Sequence, residues 1–196
     1  MNEAKLNFFI GRQRLTTLGI HHVAYRCRDA QETVRWYKRM LDMDFMLAFS
    51  EDRVPSTGEA DPYIHVFLDA GAGNVLAFFE LPTQPPMGRD PNTPNWVQHI
   101  AFKVMDRKEL FSRREHLIHQ GVEVVGVTDH GAFHSIYFFD PNGHRIELAC
   151  PDPDEPARLQ RMDAVKWDML DEWSRTKRAP RHASFAHAHL ETPSDN

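Results

Sequence analysis

The sequence predicts an α+β fold built from two successive βαβββ modules. The first observation is a repeated strand-like segment, because HHVAY at 21–25 returns as QHIAF at 98–102. The second is an offset of 77 residues shared by four chemically matched pairs, which indicates an internal repeat. These pairs are His22/His99, Arg26/Lys103, Asp29/Asp106 and Glu32/Glu109. The third is that each copy continues with a helical pattern and three further strand patterns.

Each module is predicted to open with a strand, at 20–27 and at 97–104, in which apolar and polar residues alternate. The alternation places the histidine and the following cation of each module on the face away from the apolar side chains. A helix follows each strand, because an Asp and a Glu recur there at capping-box spacing, as in Asp29 and Glu32.

Three more strands are predicted to complete each module, and the turn sequences DAGAGN and DPNG separate the last two. They are 44–50, 63–69 and 74–81 in the first module, and 122–128, 133–139 and 144–149 in the second. The last strands carry FFEL and RIEL, whose glutamates, Glu80 and Glu147, lie 67 residues apart. An insertion at 51–62, predicted to be a surface loop, accounts for the shorter offset.

The predicted organisation is a first module at 17–81, a proline-rich linker at 82–95 and a second module at 96–150. The remainder, 151–196, is predicted to be a C-terminal helix from about Pro156 followed by a loose tail.

Composition excludes several classes of partner. The formal net charge of −5 gives no general attraction for nucleic acid or for an anionic membrane. Two cysteines, Cys27 and Cys150, cannot make a disulfide framework. The N-terminal segment has no long apolar run, so neither a signal peptide nor a membrane span is expected, and a cytoplasmic location is predicted.

The two repeated histidines and the two glutamates form a candidate metal site. Ile146 and Leu148 are predicted to face the helix layer, which turns Glu147 toward the face of the histidines, and the same reasoning is applied to Glu80. Two imidazoles and two carboxylates suit one divalent first-row ion, namely Fe, Mn, Co, Ni or Zn. The predicted ligands are His22, Glu80, His99 and Glu147.

At these residues the chain resembles the vicinal oxygen chelate superfamily, which includes glyoxalase I, extradiol dioxygenases and the bleomycin- and fosfomycin-resistance proteins. The resemblance covers about 17–150 and is carried by HHVAYR, FFEL, QHIAF and SIYFFDPNGHRIEL. It implies paired modules that form a cupped, mostly antiparallel sheet around a metal ion held by the four residues named above.

The full ligand set resembles that of glyoxalase I, which implies a lyase or isomerase that moves a proton on a small substrate with adjacent oxygens. Glu147 or Glu80 would then be the base, and Arg26 would contact the substrate, with Lys103 and His134 as further candidates. The segment LPTQPP after Glu80 lacks the asparagine that glyoxalase I has there. A homodimer is also expected.

Two alternatives remain open. A one-domain extradiol dioxygenase would use only His22, His99 and Glu147 to hold Fe(II), and Tyr137 matches a tyrosine of that site. The chain has no match to the EHHR-like segment that carries the catalytic histidine in those enzymes, although His130 and His134 are candidate proton carriers. The third class is a non-catalytic binding protein of the bleomycin-resistance type, which generally lacks the ligand set.

Overall fold

The computed structural model describes residues 17–181 of the protein. Within them the chain forms a strand, a helix and three strands twice in succession, and a last helix follows. In chain order the elements are β1 (Val23–Cys27), α1 (Ala30–Leu41), β2 (Phe45–Arg53), β3 (Ala60–Asp69), β4 (Val75–Glu80), β5 (His99–Lys103), α2 (Arg107–His119), β6 (Val125–Asp129), β7 (Phe133–Phe139), β8 (Arg145–Pro151) and α3 (Glu155–Thr176). The predicted α+β class with two βαβββ modules is therefore confirmed.

Two four-stranded sheets have the same topology, with strand orders β1-β4-β3-β2 and β5-β8-β7-β6. The first strand of each module runs parallel to the last one, and the other pairings are antiparallel. In the first sheet Ala24 lies opposite Ala77, and in the second Ala101 lies opposite Glu147. Because Ala24 and Ala101 match in the repeat, Ala77 is the structural counterpart of Glu147.

The described residues divide into two compact units, and the division passes through α1. Unit 1 comprises 17–34 and 43–85, and unit 2 comprises 35–42 and 86–181. The module and linker boundaries expected from the sequence remain predictions.

In unit 1 the face of the sheet that carries Cys27, Val66, Leu68 and Phe78 is buried, with each of these side chains at most 2% exposed. In unit 2 the equivalent face packs against α2 and is equally closed. The fully buried side chains at this contact are Ile136, Phe138 and Ile146 on the sheet and Leu110 and Leu117 on α2. Burial of each such side chain stabilises the fold by about 1.5–3 kcal/mol, so this apolar face fixes which residues remain on the other one.

The two module helices begin differently. At α2 the Asp106 carboxylate accepts from the Glu109 N–H at 2.8 Å, and Glu109 accepts from the Met105 N–H at 2.8 Å. The pattern differs from the predicted capping box in one respect, because Glu109 accepts from the residue before the N-cap and not from the N-cap residue, Asp106. At α1 the Asp29 carboxylate accepts from the Glu32 N–H at 2.7 Å, but the side chain that accepts from the first helical N–H comes from β4.

The insertion at 51–62, expected to be a surface loop, instead extends a hairpin. β2 continues to Arg53 and β3 begins at Ala60, so only a short turn remains between them. Exposed Ser50 contributes by donating its hydroxyl to the Tyr63 carbonyl at 3.0 Å. Alternation did not predict this, since EDRVPSTGEADP is polar on both faces and gives no strand period.

The C-terminal helix starts at Glu155 with Pro156 in its first turn, as predicted, and ends at Thr176. None of its residues is buried. The predicted loose tail falls mostly at 182–196, which lies outside the described residues. Within 17–181 the helices are all too short or too polar to span a membrane.

Candidate functional site

The candidate site is built around a buried carboxylate on β8. Glu147 is 4% exposed. Its Oε1 accepts hydrogen bonds from the Ser135 hydroxyl and from the Tyr137 hydroxyl, the latter at 3.2 Å. Its Oε2 lies 2.9 Å from Nε2 of His99. Because a buried carboxylate is costly unless it is paired, these contacts make Glu147 the centre of a cluster of hydrogen-bonded polar side chains.

Strand register explains why these side chains meet. Tyr137 lies opposite Glu147 across β7 and β8, and Ser135 is two residues from Tyr137 and shares its face. His99 opens β5 opposite Arg145, two residues before Glu147. We call this side of each sheet the histidine face: it carries His99 and Glu147 in unit 2 and His22 in unit 1.

The hydrogen bonding of His99 defines which nitrogen is free to bind a cation. Its Nδ1 lies 2.9 Å from the Val97 carbonyl, which can only accept, so Nδ1 carries the proton. In the neutral ring Nε2 then presents a lone pair to the Glu147 carboxylate. Such a pair is stable as an imidazolium–carboxylate ion pair or as two ligands of one metal ion.

The geometry of this pair fits a metal ion. Two donors that each bind at about 2.1 Å lie about 3 Å apart when their bonds are at right angles. The 2.9 Å separation of His99 Nε2 and Glu147 Oε2 matches that distance. Donation of the second ring nitrogen to a backbone carbonyl is also the usual arrangement of a metal-bound histidine.

Tyr137 connects the carboxylate to a second histidine. Its hydroxyl lies 2.7 Å from Nε2 of His130. Burial first, and then the charge of Glu147, raises the pKa of Tyr137, so the phenol remains protonated at neutral pH. The Arg145 guanidinium stacks over its ring at 4.0 Å, and a cavity of about 350 Å³ opens beside both residues.

The histidine face of unit 1 has different chemistry. His22 is exposed, and its ring centroid lies 5.8 Å from that of His65 and 5.6 Å from that of Phe67. His65 stacks on Phe79 at 3.6 Å, and burial first, then nearby His22, lowers its pKa. This face is therefore mainly aromatic, with His65 held toward its neutral form.

Glu80 lies elsewhere than the sequence analysis expects. It is opposite Cys27, on the buried helix-facing side of the sheet, and its carboxylate accepts from the Ala30 N–H at 2.7 Å. Phe79 is the residue on the histidine face. Two premises of the prediction are thus wrong: Glu80 is neither on the histidine face nor the counterpart of Glu147. The likeness of FFEL and RIEL hid a shift of three positions. The role of Glu80 as a metal ligand stays a prediction, and neither of these two premises supports it.

The residues predicted to contact substrate are dispersed. Arg26 donates to the Pro85 carbonyl at 2.7 Å, and Lys103 is exposed at the end of β5. His134 alternates with Ser135 and so lies on the helix-facing side, away from Glu147. Their roles as substrate contacts remain predictions.

Sequence reasoning missed Ser135 as part of the cluster and did not link His130 to Tyr137. The signal for Ser135 was available, because it sits two residues before Tyr137 in one strand. The link to His130 depends on the tight turn between β6 and β7, which no periodicity defines.

Comparison with known proteins gives the family. The family model of the Glyoxalase/Bleomycin resistance protein/Dioxygenase superfamily matches residues 19–148. The match covers most of the chain, and the protein belongs to this superfamily.

One curated relative is "Putative ring-cleaving dioxygenase MhqA" of Bacillus subtilis (strain 168). It is 28% identical over 109 residues, which are 55% of this chain and 34% of that protein. The chain thus spans about a third of the length of this relative.

Solved structures support the fold. A glyoxylase/bleomycin resistance protein/dioxygenase domain from Frankia sp. EAN1pec has a TM-score of 0.56 at 20% identity, covering 70% of this chain and 100% of that one. The fosfomycin resistance protein FosX from Listeria monocytogenes has a TM-score of 0.52 at 21% identity, covering 71% and 98%. FosX has also been solved with Mn(II) and sulfate. At these identities the likeness concerns the fold alone.

Proposed function

We propose that this protein is a divalent-metal enzyme of the ring-cleaving, extradiol dioxygenase type, acting on a small molecule with two adjacent oxygens. The observation that carries the proposal is the unequal ligand supply of the two modules. Unit 2 presents the His99–Glu147 pair, whereas the counterpart of Glu147 in unit 1 is Ala77. One carboxylate and two repeated histidines correspond to the ligand set of non-haem Fe(II) oxygenases.

In this proposal His99 and Glu147 hold the ion, and His22 stays a further ligand predicted from the sequence alone. When bound, a divalent iron would chelate the two adjacent oxygens of a catechol and supply the redox chemistry that dioxygen requires. The Val97 carbonyl fixes the His99 tautomer, and Ser135 holds one oxygen of Glu147. These outer contacts orient the ligands.

Tyr137 and His130 form the proposed proton pathway. The single phenol proton is directed to Glu147, so His130 Nε2–H donates to the Tyr137 oxygen. Uptake of a substrate proton would require His130 to take the Nδ1–H tautomer. Tyr137 would then donate its own proton to Nε2 as its oxygen accepts the substrate proton, which leaves His130 as the imidazolium. The raised pKa of Tyr137 keeps its hydroxyl a donor between turnovers.

The name of the relative MhqA supports ring cleavage as the chemistry, and the Mn(II) in a FosX structure supports a divalent ion in this fold. The glyoxalase-type lyase or isomerase is the expectation for a set of four ligands. That set needs a second carboxylate, and the position that matches Glu147 in unit 1 is Ala77. A homodimer remains a prediction, which sedimentation at several protein concentrations tests.

The deciding experiment measures oxygen consumption. Protein loaded anaerobically with Fe(II) is expected to take up one equivalent of dioxygen per catechol and to form a ring-opened product. The same protein is assayed with a hemithioacetal in the absence of oxygen. Hemithioacetal turnover without catechol-dependent oxygen uptake would overturn the proposal in favour of glyoxalase-type chemistry. Tight binding of aromatic ligands with neither activity would favour a binding protein.

A further inference from the structure

A second cluster of metal-ligating side chains lies on the opposite side of the unit 2 sheet from Glu147. It consists of Asp129 at the end of β6, His134 in β7 and Asp152 just after β8. One candidate ligand atom from each residue lies within 4.8 Å of the others. His134 Nδ1 is 2.9 Å from Asp152 Oδ1, and its Nε2 is 3.7 Å from Asp129 Oδ2.

The state of His134 points to a ligand. The residue is 7% exposed, and its Nδ1 is buried without a hydrogen-bond partner among the described residues. The short approach of Asp152 Oδ1 therefore brings the two atoms together without the alignment of a hydrogen bond. Two donors bound to one ion at about 2.1 Å lie roughly 3–3.4 Å apart, and the separation of Nδ1 from Asp152 Oδ1 is close to this range. The Asp129 contact is made by the other ring nitrogen, so an ion held by Nδ1 and Asp152 requires the Asp129 side chain to rotate toward Nδ1.

The backbone holds the cluster in place. Asp129 and His134 are paired across β6 and β7, and the Asp152 N–H donates to the Ala132 carbonyl at 3.1 Å. The Gly131 N–H binds Asp129 Oδ1 at 2.6 Å, which leaves Oδ2 as the oxygen nearer His134. All three side chains are therefore positioned by the hairpin and by the end of β8.

We propose that Asp129, His134 and Asp152 bind a second divalent cation, of the first-row class that accepts one imidazole and two carboxylates, such as Zn²⁺. The site is distinct in residues and in sheet face from the proposed catalytic ion. The Asp152 carbonyl also accepts from the Glu155 N–H at 3.0 Å, so the bound ion would tie the start of α3 to the sheet.

Arg158 is the neighbouring cation. Its Nε donates to Asp154 at 2.6 Å, and Asp154 is the main cause of its raised pKa, with smaller contributions from Asp152 and Asp129. Its charge therefore opposes the approach of a divalent ion to the cluster. Arg158→Gln is expected to tighten cation binding several-fold, and a purely structural role of the cluster does not predict this change.

The test is a titration of metal-free full-length protein with Zn²⁺ alone, followed by calorimetry and by metal analysis after gel filtration. The tail histidines His182, His187 and His189 are replaced by Asn in every sample, so that zinc bound by a His-rich tract is not counted. Asp152→Asn is expected to lower the stoichiometry by one ion per chain, and Asp168→Asn on the exposed part of α3 is the matched control.

The outcomes separate this site from the proposed catalytic one. Glu147→Gln is expected to remove the other ion and leave the Asp152-dependent ion in place. An unchanged ion count in both Asp152→Asn and His134→Asn would overturn the inference, whatever the activity of the protein. If those variants fold poorly, the zinc affinity of Arg158→Gln is the deciding measurement. An affinity equal to that of the parent would contradict a cation at this cluster.

Discussion

The two modules have the same backbone fold and differ in the side chains of the histidine face. Strand order is the same, and the last strand of each module pairs with its neighbours in the same register, so position can be compared with position. Where unit 2 has Glu147, Tyr137 and Ser135, unit 1 has Ala77, Phe67 and His65. The polar cluster therefore belongs to one copy, and the other copy retains an aromatic surface with its repeated histidine.

The comparison also shows that similar sequence can serve different physical roles. Glu80 and Glu147 both follow an apolar residue in the last strand of their module, yet they point to opposite sides of their sheets. Glu80 satisfies a helix N-terminal N–H, which a helix cannot satisfy internally. Glu147 is held by hydroxyl donors beside His99.

The largest expected difference is between the two glutamates. Glu147→Gln removes a charged ligand and is expected to lower catechol-dependent oxygen uptake at least about 100-fold, with loss of bound iron. Glu80→Gln retains an acceptor for Ala30 and is expected to change activity less than about threefold. Oxygen uptake and iron content of both variants check this, and comparable losses would show that both modules supply carboxylates.

The next largest effect concerns Tyr137, whose counterpart in unit 1 is Phe67. Tyr137→Phe removes the hydroxyl between His130 and Glu147 and is expected to reduce kcat about 10- to 100-fold while iron content stays the same. Phe67→Leu in unit 1 is the matched control and should leave the shape of the pH–rate profile unchanged. A wild-type profile in Tyr137→Phe would argue against the proton pathway.

A smaller effect concerns stability. Glu80→Ala leaves the first N–H of α1 without its carboxylate and is expected to cost about 1 kcal/mol, comparable to Asp106→Ala at α2. For a chain of this size such a loss lowers the melting temperature by roughly 2–4 °C. Thermal unfolding of the two variants should therefore give similar shifts; no shift for Glu80→Ala would show that its hydrogen bond is unimportant.

The smallest effect is a pH dependence at the α2 cap. The Met105 N–H first, and then Arg113, lowers the pKa of Glu109. Its stabilisation is therefore fully present above the unfolded-state pKa of about 4.3, and is lost as pH falls through the folded-state value. Glu109→Gln should be less stable than the parent by about 0.5 kcal/mol at pH 7, and this difference should narrow as the pH falls below about 4.3 in urea titrations. A gap that stays constant would exclude this charge effect.

Much of the fold follows from periodicity. The repeat at His22 and His99 and the turn residues of DPNG define the modules, because these are local signals. The assignment of Glu147 to the face of His99 was also accessible, since Ile146 and Leu148 are clearly apolar. The same alternation argument failed for Glu80. It assumed that the apolar residues Phe79 and Leu81 face the helix, whereas the histidine face of unit 1 is itself aromatic and carries Phe79. Register between strands, which decides the matter, depends on nonlocal pairing.

The most direct measurement is a crystal structure of the protein loaded anaerobically with Fe(II), with anomalous data at the iron edge. Our account predicts an iron peak bonded at about 2.0–2.2 Å to His99 Nε2 and to a Glu147 oxygen, while Glu80 still accepts from Ala30. An iron ion bonded to Glu80, or one that leaves Glu147 outside its ligands, would contradict the asymmetry of the two modules.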